Sequence, residues 1–360
     1  MSHVIYINGR FLLNKPTGIE NFAYGMCKAM ANRGIEFVIL TPKSPIKYYD
    51  VHEFNIIQIG LLKGPVWEQV DLSIFMLGKS SDILISFSGA GSLLIRNQII
   101  TIHDIAVFKH PEWFSFSYRI LYELITPLII KKSRAIITVS EFSKREISNV
   151  FKVNPQKIIV TYSATKDYNG NNFVDTVKEN NITEPYILAV SSIDPRKNFR
   201  FLIKGFARSN IPCNLYIIGK KHKSFNDSNI EINTDKIKFL GYVSEAELID
   251  YYKNAIAFIS VSLYEGFGLP PIEAMSFGCP TITSDLEVCH EVCKNASYFV
   301  NQNDIESIAS GIKKLYYDAS TREKLVKNGY VVSKMYSFHN SLQRLISGLS
   351  QIKSCSNIFQ

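Results

Sequence analysis

The sequence has little of what marks secreted or membrane-spanning proteins. Its 360 residues include 6 cysteines and no Cys-x-x-Cys pair, so we predict reduced thiols rather than a disulfide framework. No run of 18 apolar residues occurs, so no membrane-spanning helix is predicted. The first residues show no basic segment followed by an apolar one, so no secretory signal is predicted. We therefore expect a cytoplasmic location.

Several catalytic and binding motifs are also missing. The chain has no Gly-x-x-x-x-Gly-Lys phosphate loop, no Gly-x-Ser-x-Gly turn and no Asp-x-Asp pair, and His222, His290 and His339 lack the spacing of metal ligands. We therefore predict neither a metal nor a resident cofactor. The net charge of +8 is spread over both halves of the chain without a basic block, so nucleic acid is not indicated as a partner. A positive charge of this size is compatible with binding a small phosphorylated ligand or an anionic membrane surface.

Apolar and polar segments alternate along most of the chain, which is 46% hydrophobic and 20% charged. Short apolar runs at 4–8, 83–88, 98–103 and 135–140 predict parallel strands that helices cover on both faces. The polar, Asn-rich segment 163–183 is predicted to be a linker between two such series. The fold class is therefore α/β, with two units of similar size. The first is predicted over 1–165, the second over 183–331, and a final helix over 332–350.

The clearest chemical signal is the segment from Glu265 to Glu273, which follows a predicted strand over 257–261. Gly266 and Gly268 permit a tight turn with exposed backbone N–H groups, and the start of the following helix favours anions. The two carboxylates, eight positions apart, can accept hydrogen bonds from paired sugar hydroxyls. The pattern therefore indicates a site for a sugar linked to phosphate.

This segment resembles the Glu-x7-Glu motif of the retaining glycosyltransferases of family 4, which use nucleotide-sugars and have the GT-B fold. The resemblance extends over nearly the whole chain. The further matching segments are a diphosphate-binding turn at Asp194–Asn198, a phosphate-approaching glycine at Gly18, a His-Asp pair at 103–104, a base-binding turn at Gly241–Ser244, and accessory segments at 111–114 and 139–143 that are typical of the branch building bacterial surface polysaccharides.

The resemblance implies two Rossmann-like domains that face a central cleft, with the final helix crossing back to the first domain. The second domain would bind the nucleotide-sugar donor and the first would mostly bind the acceptor. Glu273 would bind the nucleotide ribose, Glu265 would hold the donor sugar, and His103 would contact that sugar. The other implied donor-binding residues are Gly18, Arg196, Lys197, Val243, Gly266, Phe267, Gly268 and Leu269.

Charge gives these assignments a physical basis. A nucleoside diphosphate gains negative charge as it leaves, and a preorganised cation such as Lys197 contributes about 3 kcal/mol to stabilising it. Many family members place an arginine some five residues before this lysine, where this chain has Ser191 and Ser192, so the role of Arg196 stays open.

His103 ends a predicted strand, at the edge of the sheet where α/β proteins bind ligands. No carboxylate is identified as a dedicated nucleophile. We therefore expect His103 and Glu265 to position the donor and stabilise charge during a metal-independent transfer with retention.

The resemblance implies that a hexose passes from GDP-mannose or a UDP-sugar to a lipid-linked oligosaccharide, in O-antigen or capsule synthesis at the inner face of the cytoplasmic membrane. Two alternatives stay open. One is another GT-B enzyme, such as a nucleotide-sugar epimerase. The other is a non-catalytic protein that binds sugar nucleotides within a polysaccharide assembly complex.

The segment 112–132 combines many large apolar side chains with Arg119, Lys131 and Lys132. It is either a surface that touches the membrane or a helix pair buried in the first domain. We expect the buried pair.

Overall fold

The computed structural model describes residues 3–89, 91–166, 184–219 and 235–359. The chain divides into two compact units. Unit 1 comprises Met1–Lys166 and Ser337–Gln360, and unit 2 comprises Asp167–Tyr336. Within these ranges no helix combines the length and the apolar character that crossing a bilayer requires.

The described part of unit 1 contains a seven-stranded sheet in which every neighbouring pair is parallel. Its strands are β1 (Ile5–Asn8), β2 (Val38–Pro42), β3 (Ile56–Ile59), β4 (Ile83–Ser86), β5 (Gln98–Thr101), β6 (Ala135–Thr138) and β7 (Ile158–Val160). They lie in the order β3-β2-β1-β4-β5-β6-β7. The accompanying helices are α1 (Gly18–Asn32), α2 (Gly64–Gln69), α3 (Asp71–Met76), α4 (Ala106–Lys109), α5 (Phe116–Lys132) and α6 (Glu141–Phe151).

The described part of unit 2 contains a six-stranded sheet, also parallel throughout. Its strands are β8 (Tyr186–Val190), β9 (Asn214–Ile218), β10 (Ile237–Gly241), β11 (Ala257–Ser260), β12 (Thr281–Ser284) and β13 (Ser297–Val300). They lie in the order β10-β9-β8-β11-β12-β13. The helices that follow β8 are α7 (Phe199–Ser209), α8 (Glu245–Asn254), α9 (Leu269–Ser276), α10 (Glu287–Cys293), α11 (Ile305–Tyr317), α12 (Ala319–Ser333) and α13 (Phe338–Gln351).

The sheets form where the sequence has short apolar runs. All four side chains of β4 are buried, as expected for a strand that helices cover on both faces. Helix α1 buries Phe22, Met26 and Met30, which lie four residues apart on one face. Each such side chain stabilises the fold by about 1.5–3 kcal/mol. The predicted α/β class with two Rossmann-like units is confirmed.

The last helix belongs to unit 1, as the resemblance implied, but its predicted start was wrong. Helix α12 continues to Ser333, and α13 begins only at Phe338, where the Ser337 side chain caps it. Leu342, Leu345 and Leu349 of α13 join the apolar core of unit 1.

The expectation of a buried helix pair at 112–132 was wrong. A short 3₁₀ turn at Pro111–Trp113 leads into the single helix α5. Only Thr126, Ile129 and Ile130 of α5 are fully buried, because its other faces meet solvent. Of the predicted linker, 167–183 lie outside the described residues, while Ser163 and Ala164 are buried in unit 1.

Candidate functional site

The centre of the site in unit 2 is an ion pair between Lys197 and Glu265. Lys197 ends a turn after β8, and Glu265 lies in the loop after the neighbouring strand β11. Because the strands are parallel, their carboxyl ends share one edge of the sheet. The Lys197 Nζ lies 2.5 Å from the Glu265 Oε1, and each side chain is only 11% exposed.

Backbone contacts fix the turn that carries Lys197. The Leu263 N–H donates to the Arg196 carbonyl oxygen at 2.8 Å, which ties the turn to the loop of Glu265. Asn198 has a left-handed backbone with φ of 56°, a conformation that asparagine tolerates, and its Nδ2 donates to the Gln302 carbonyl oxygen at 2.7 Å. Lys197 is therefore held in place before any ligand arrives.

The Glu265 carboxyl is ionised because two cations lie beside it. Burial alone would raise its pKa, but the charges of Lys197 and Arg196, with hydrogen bonds from Lys197 and Ser262, outweigh burial and hold the pKa below its usual value. Two cations therefore act on this one carboxylate.

The glycine turn adds backbone donors next to the ion pair. Gly268 has φ of +83°, a left-handed conformation that favours glycine, and it precedes the first residue of α9, Leu269. Pro270 and Pro271 follow and have no N–H groups, so the helix start offers fewer donors than the sequence suggested. Phe267 packs edge-on against Tyr336, with ring centroids 5.2 Å apart.

Glu273 and Val243 lie beside the apolar cluster that contains Tyr252. Glu273 is half-buried on α9, and the Tyr252 hydroxyl donates to its Oε2 at 3.4 Å. Val243 packs against the same cluster, just before Ser244 and Glu247 close a capping box at the start of α8. The structure thus joins Lys197 directly to Glu265 and gives Glu273 a different partner.

The other two predicted residues, His103 and Gly18, belong to unit 1. The His103 Nε2 lies 3.1 Å from the Phe87 carbonyl oxygen. Since a carbonyl can only accept, Nε2 carries the hydrogen. Burial lowers the pKa of His103, so the ring is neutral near pH 7 and its Nδ1 is a hydrogen-bond acceptor. Gly18 is the first, exposed residue of α1, where an added Cβ would meet no atom within 4 Å.

Sequence reasoning missed a buried polar cluster in unit 1. Asn8 ends β1, and its Nδ2 donates to the Glu68 Oε1 at 2.8 Å and to the Ser86 Oγ at 3.3 Å. The Arg10 Nε lies 3.0 Å from the same Glu68 oxygen. A signal was present, because Asn8 and Arg10 flank a glycine at the end of the first strand, but nothing in the sequence tied them to Glu68.

Two family models match the chain. One, described as "Glycosyltransferase Family 4", matches residues 16–165, and the other, described as "Glycosyl transferases group 1", matches residues 173–332.

Curated relatives and a solved structure agree with these matches. The O-antigen chain mannosyltransferase RfbU of Salmonella typhimurium is 34% identical over 72% of this chain and 71% of its own length. The O-antigen chain mannosyltransferase B of Escherichia coli is 28% identical over 70% of each chain. The crystal structure of Anabaena HepE in complex with UDP and glucose superposes on this chain with a TM-score of 0.72 and 15% sequence identity. The match covers 97% of this chain and 100% of the HepE chain. The chain therefore belongs to the family 4 glycosyltransferases and is a glycosyltransferase with the GT-B fold.

Proposed function

We propose that this enzyme transfers a hexose from a nucleotide-sugar to a lipid-linked oligosaccharide, with retention, during O-antigen or capsule synthesis. Mannose is the first candidate, because the relatives from Salmonella typhimurium and Escherichia coli are both named O-antigen chain mannosyltransferases. GDP-mannose is therefore the first donor to test. UDP-hexoses come second, since the similarly folded HepE holds UDP and glucose.

The observation that carries this proposal is the buried pair of Lys197 and Glu265 with Arg196 beside it. An ammonium group has three N–H donors, and among the described residues the Lys197 ammonium donates only to Glu265. Two donors remain for the oxygens of a diphosphate. The positive charge offsets the negative charge that the diphosphate gains as it leaves.

Glu265 has a different role in this proposal. Its ionised carboxylate stabilises the positive charge that develops on the sugar ring in the transition state. The same carboxylate accepts hydrogen bonds from the hydroxyl groups of the sugar. The departing phosphate takes the proton of the acceptor hydroxyl, and no covalent enzyme intermediate forms. Glu273 binds the ribose, and the amides of residues 266–269 approach the phosphates.

His103 is proposed to accept a hydrogen bond from a hydroxyl of the donor sugar. Its Nε2 donates to the Phe87 carbonyl oxygen, and its ring packs edge-on against Phe22 at an interplanar angle of 89°, with centroids 5.2 Å apart. These contacts fix the ring orientation and leave the bare Nδ1 as the acceptor.

The proposal includes peripheral contact between unit 1 and the membrane. The Gln69 side chain binds the backbone of Gly91 and Leu93 at 2.9 Å each, and the Lys132 Nζ binds the Leu93 carbonyl oxygen at 3.0 Å. Helices α2 and α5 therefore contact one loop, and α3 joins them through the Ser73 Oγ, which lies 2.6 Å from the Ser92 Oγ. The large apolar side chains exposed in and beside these segments include Leu61, Val66, Ile74, Leu77, Leu94, Phe116, Leu124 and Leu128. Such a surface, flanked by Lys131 and Lys132, suits an anionic bilayer.

A thermal-shift panel of GDP-mannose, UDP-hexoses, dTDP-rhamnose and CMP-sugars tests the donor. A bound ligand at 100 times its dissociation constant adds about 2.7 kcal/mol of stability. The stabilising donor is then incubated with lipid-linked acceptors, and the anomeric configuration of the product is determined. Conversion of the donor without acceptor would identify an epimerase instead. Binding without transfer to any acceptor would identify a non-catalytic sugar-nucleotide-binding protein.

Co-sedimentation with anionic vesicles tests the membrane contact separately. The double variant Phe116→Ser/Leu124→Ser should lose most binding, because these side chains are 71% and 65% exposed. The matched control is Tyr317→Ser, an exposed aromatic side chain in unit 2. Equal sedimentation of the double variant and the wild type would contradict the contact.

A further inference from the structure

A buried tyrosine of unit 2 contacts the carboxylate that is proposed to bind the ribose. Tyr252 lies near the end of α8 and is 1% exposed. Its hydroxyl donates to the Glu273 Oε2 at 3.4 Å, so the contact joins α8 to α9. The distance is long for an O–H···O hydrogen bond, and we therefore expect a modest energetic effect from it.

Aromatic packing fixes the ring of Tyr252. The ring is nearly parallel to that of Phe277, with an interplanar angle of 12° and centroids 5.9 Å apart. It also lies 5.9 Å from the ring of Phe258, at an angle of 55°. These rings belong to one apolar cluster, which includes Ala274, the neighbour of Glu273 on α9. Because such interiors are close-packed, the Tyr252 hydroxyl has a fixed position.

Glu273 is the flexible partner in this contact. Its backbone is held in α9, where its carbonyl oxygen accepts from the Ser276 Oγ at 2.7 Å. Its side chain is half-buried and has three torsions, so a ligand that binds the carboxylate must order it at an entropic cost. A neighbour that orders the side chain before the ligand arrives reduces this cost and tightens binding.

We propose that Tyr252 is a positioning residue for the donor nucleotide. Its hydroxyl holds one oxygen of the Glu273 carboxylate, so that the other oxygen accepts a hydrogen bond from a ribose hydroxyl. Both contacts can exist together, because a carboxylate has two oxygens and about four acceptor positions. The inference rests on the proposed function, in which Glu273 binds the ribose, and it makes Tyr252 part of the discrimination between a ribonucleotide and a nucleotide that lacks these hydroxyls.

The same apolar cluster contains a matched control. Tyr186 is also 1% exposed, and its hydroxyl donates to the Tyr251 carbonyl oxygen at 2.8 Å. Tyr186→Phe and Tyr252→Phe each remove one buried hydroxyl from this cluster and leave the ring in place. The Tyr186 hydroxyl binds the backbone of α8, whereas the Tyr252 hydroxyl binds Glu273. A difference between the two variants therefore reports on Glu273 rather than on the packing of the cluster.

Isothermal titration calorimetry on the full chain tests the contact. One pair of probes is GDP and its 2′,3′-dideoxy analogue, and the other is UDP and its 2′,3′-dideoxy analogue. The wild type should bind the ribonucleotide of at least one pair more tightly than its analogue. Tyr252→Phe should weaken binding of that ribonucleotide about fivefold and of the analogue less than about twofold. Tyr186→Phe should leave both affinities within about twofold of the wild type.

Transfer assays with the donor that the thermal-shift panel identifies add a second readout. The KM for the donor should rise about fivefold in Tyr252→Phe, while kcat stays within about twofold, because a contact to the ribose is equally strong in the ground state and the transition state. A fall in kcat of the same size in both tyrosine variants would indicate a purely structural role and would overturn the inference.

The variant Glu273→Leu, which removes both acceptor oxygens, separates this inference from the proposed function. If it keeps the wild-type preference for the ribonucleotide, Glu273 does not bind the ribose, and both proposals are contradicted. If Glu273→Leu loses the preference and Tyr252→Phe keeps it, the inference about Tyr252 alone is overturned. Equal weakening of both nucleotides of a pair in Tyr252→Phe would overturn it too. If no probe binds the wild type, the nucleotide site itself is contradicted, and the role of Tyr252 with it.

Discussion

Each unit places a buried glutamate against a cation at the carboxyl edge of its parallel sheet, but the two glutamates respond to burial in opposite ways. In unit 2, Lys197 and Arg196 outweigh the burial of Glu265, and its pKa falls below the usual value. In unit 1, burial of Glu68 outweighs the charge of Arg10 and the hydrogen bond from Asn8, and the pKa of Glu68 is raised.

The difference follows the number of cations beside each buried carboxylate. Lys197 and Arg196 together outweigh the burial of Glu265, whereas Arg10 alone does not outweigh the burial of Glu68.

The largest effect is expected from Lys197→Met. The substitution leaves Glu265 buried without its direct partner, which should lower the free energy of unfolding by about 3 kcal/mol. It also removes a cation from the leaving group, so kcat/KM should fall about 100-fold or more. Urea unfolding and steady-state transfer assays measure the two losses.

The double variant Lys197→Met/Glu265→Gln separates the two losses. It should regain much of the free energy of unfolding, because no buried charge is then left without a partner. It should regain none of the activity. Full activity in the single variant would show that this lysine does not bind the donor.

The pH dependence of stability should differ in sign between Glu265 and Glu68. Because the folded pKa of Glu265 is lowered, its ionised form stabilises the fold above the unfolded value of about 4.3, and this contribution disappears as pH falls through the folded pKa. Glu265→Gln should therefore be less stable than the wild type at pH 7, with the gap closing below about pH 4.

Because the folded pKa of Glu68 is raised, the folded state takes up a proton before the unfolded chain does. The wild type should therefore gain stability relative to Glu68→Gln as pH falls from 7 through the folded pKa of Glu68. Urea unfolding followed by circular dichroism, at a series of pH values from 7 to about 3 that spans the unfolded pKa of a glutamate, measures both differences. Parallel profiles for the two variants would contradict the contrast between the units.

The smallest structural effect is expected from Gly18→Ala. An added Cβ meets no atom within 4 Å, so the free energy of unfolding should change by less than about 0.5 kcal/mol. If the donor phosphates approach this backbone, the KM for the donor should rise. Gly268→Ala is the comparison in unit 2. An alanine there would have to adopt a φ of +83°, which should lower the free energy of unfolding by about 1 kcal/mol. An unchanged donor KM in Gly18→Ala would remove Gly18 from the proposed site.

The interior strands and the long helices could be predicted from the sequence, because burial on both faces needs a continuous apolar run. Strands β1, β4, β5 and β6 lie within the apolar runs predicted at 4–8, 83–88, 98–103 and 135–140. Strand β3 was missed because it lies at the edge of its sheet with two exposed side chains, so its sequence carries a weaker apolar pattern. The buried helix pair at 112–132 was predicted wrongly, because apolar content by itself does not reveal whether a partner covers the helix.

The sequence alone determined the α/β class, the two-unit division and the family, since these depend on local periodicity and on short motifs. The tertiary structure decided which charges meet. Glu68 is a single acidic residue on a six-residue helix, and only folding brings it into contact with Asn8, at the end of β1, and with Arg10. Burial and the distances between charges depend on the folded structure, so the order of residues along the chain could not show that the pKa of Glu265 is lowered while that of Glu68 is raised.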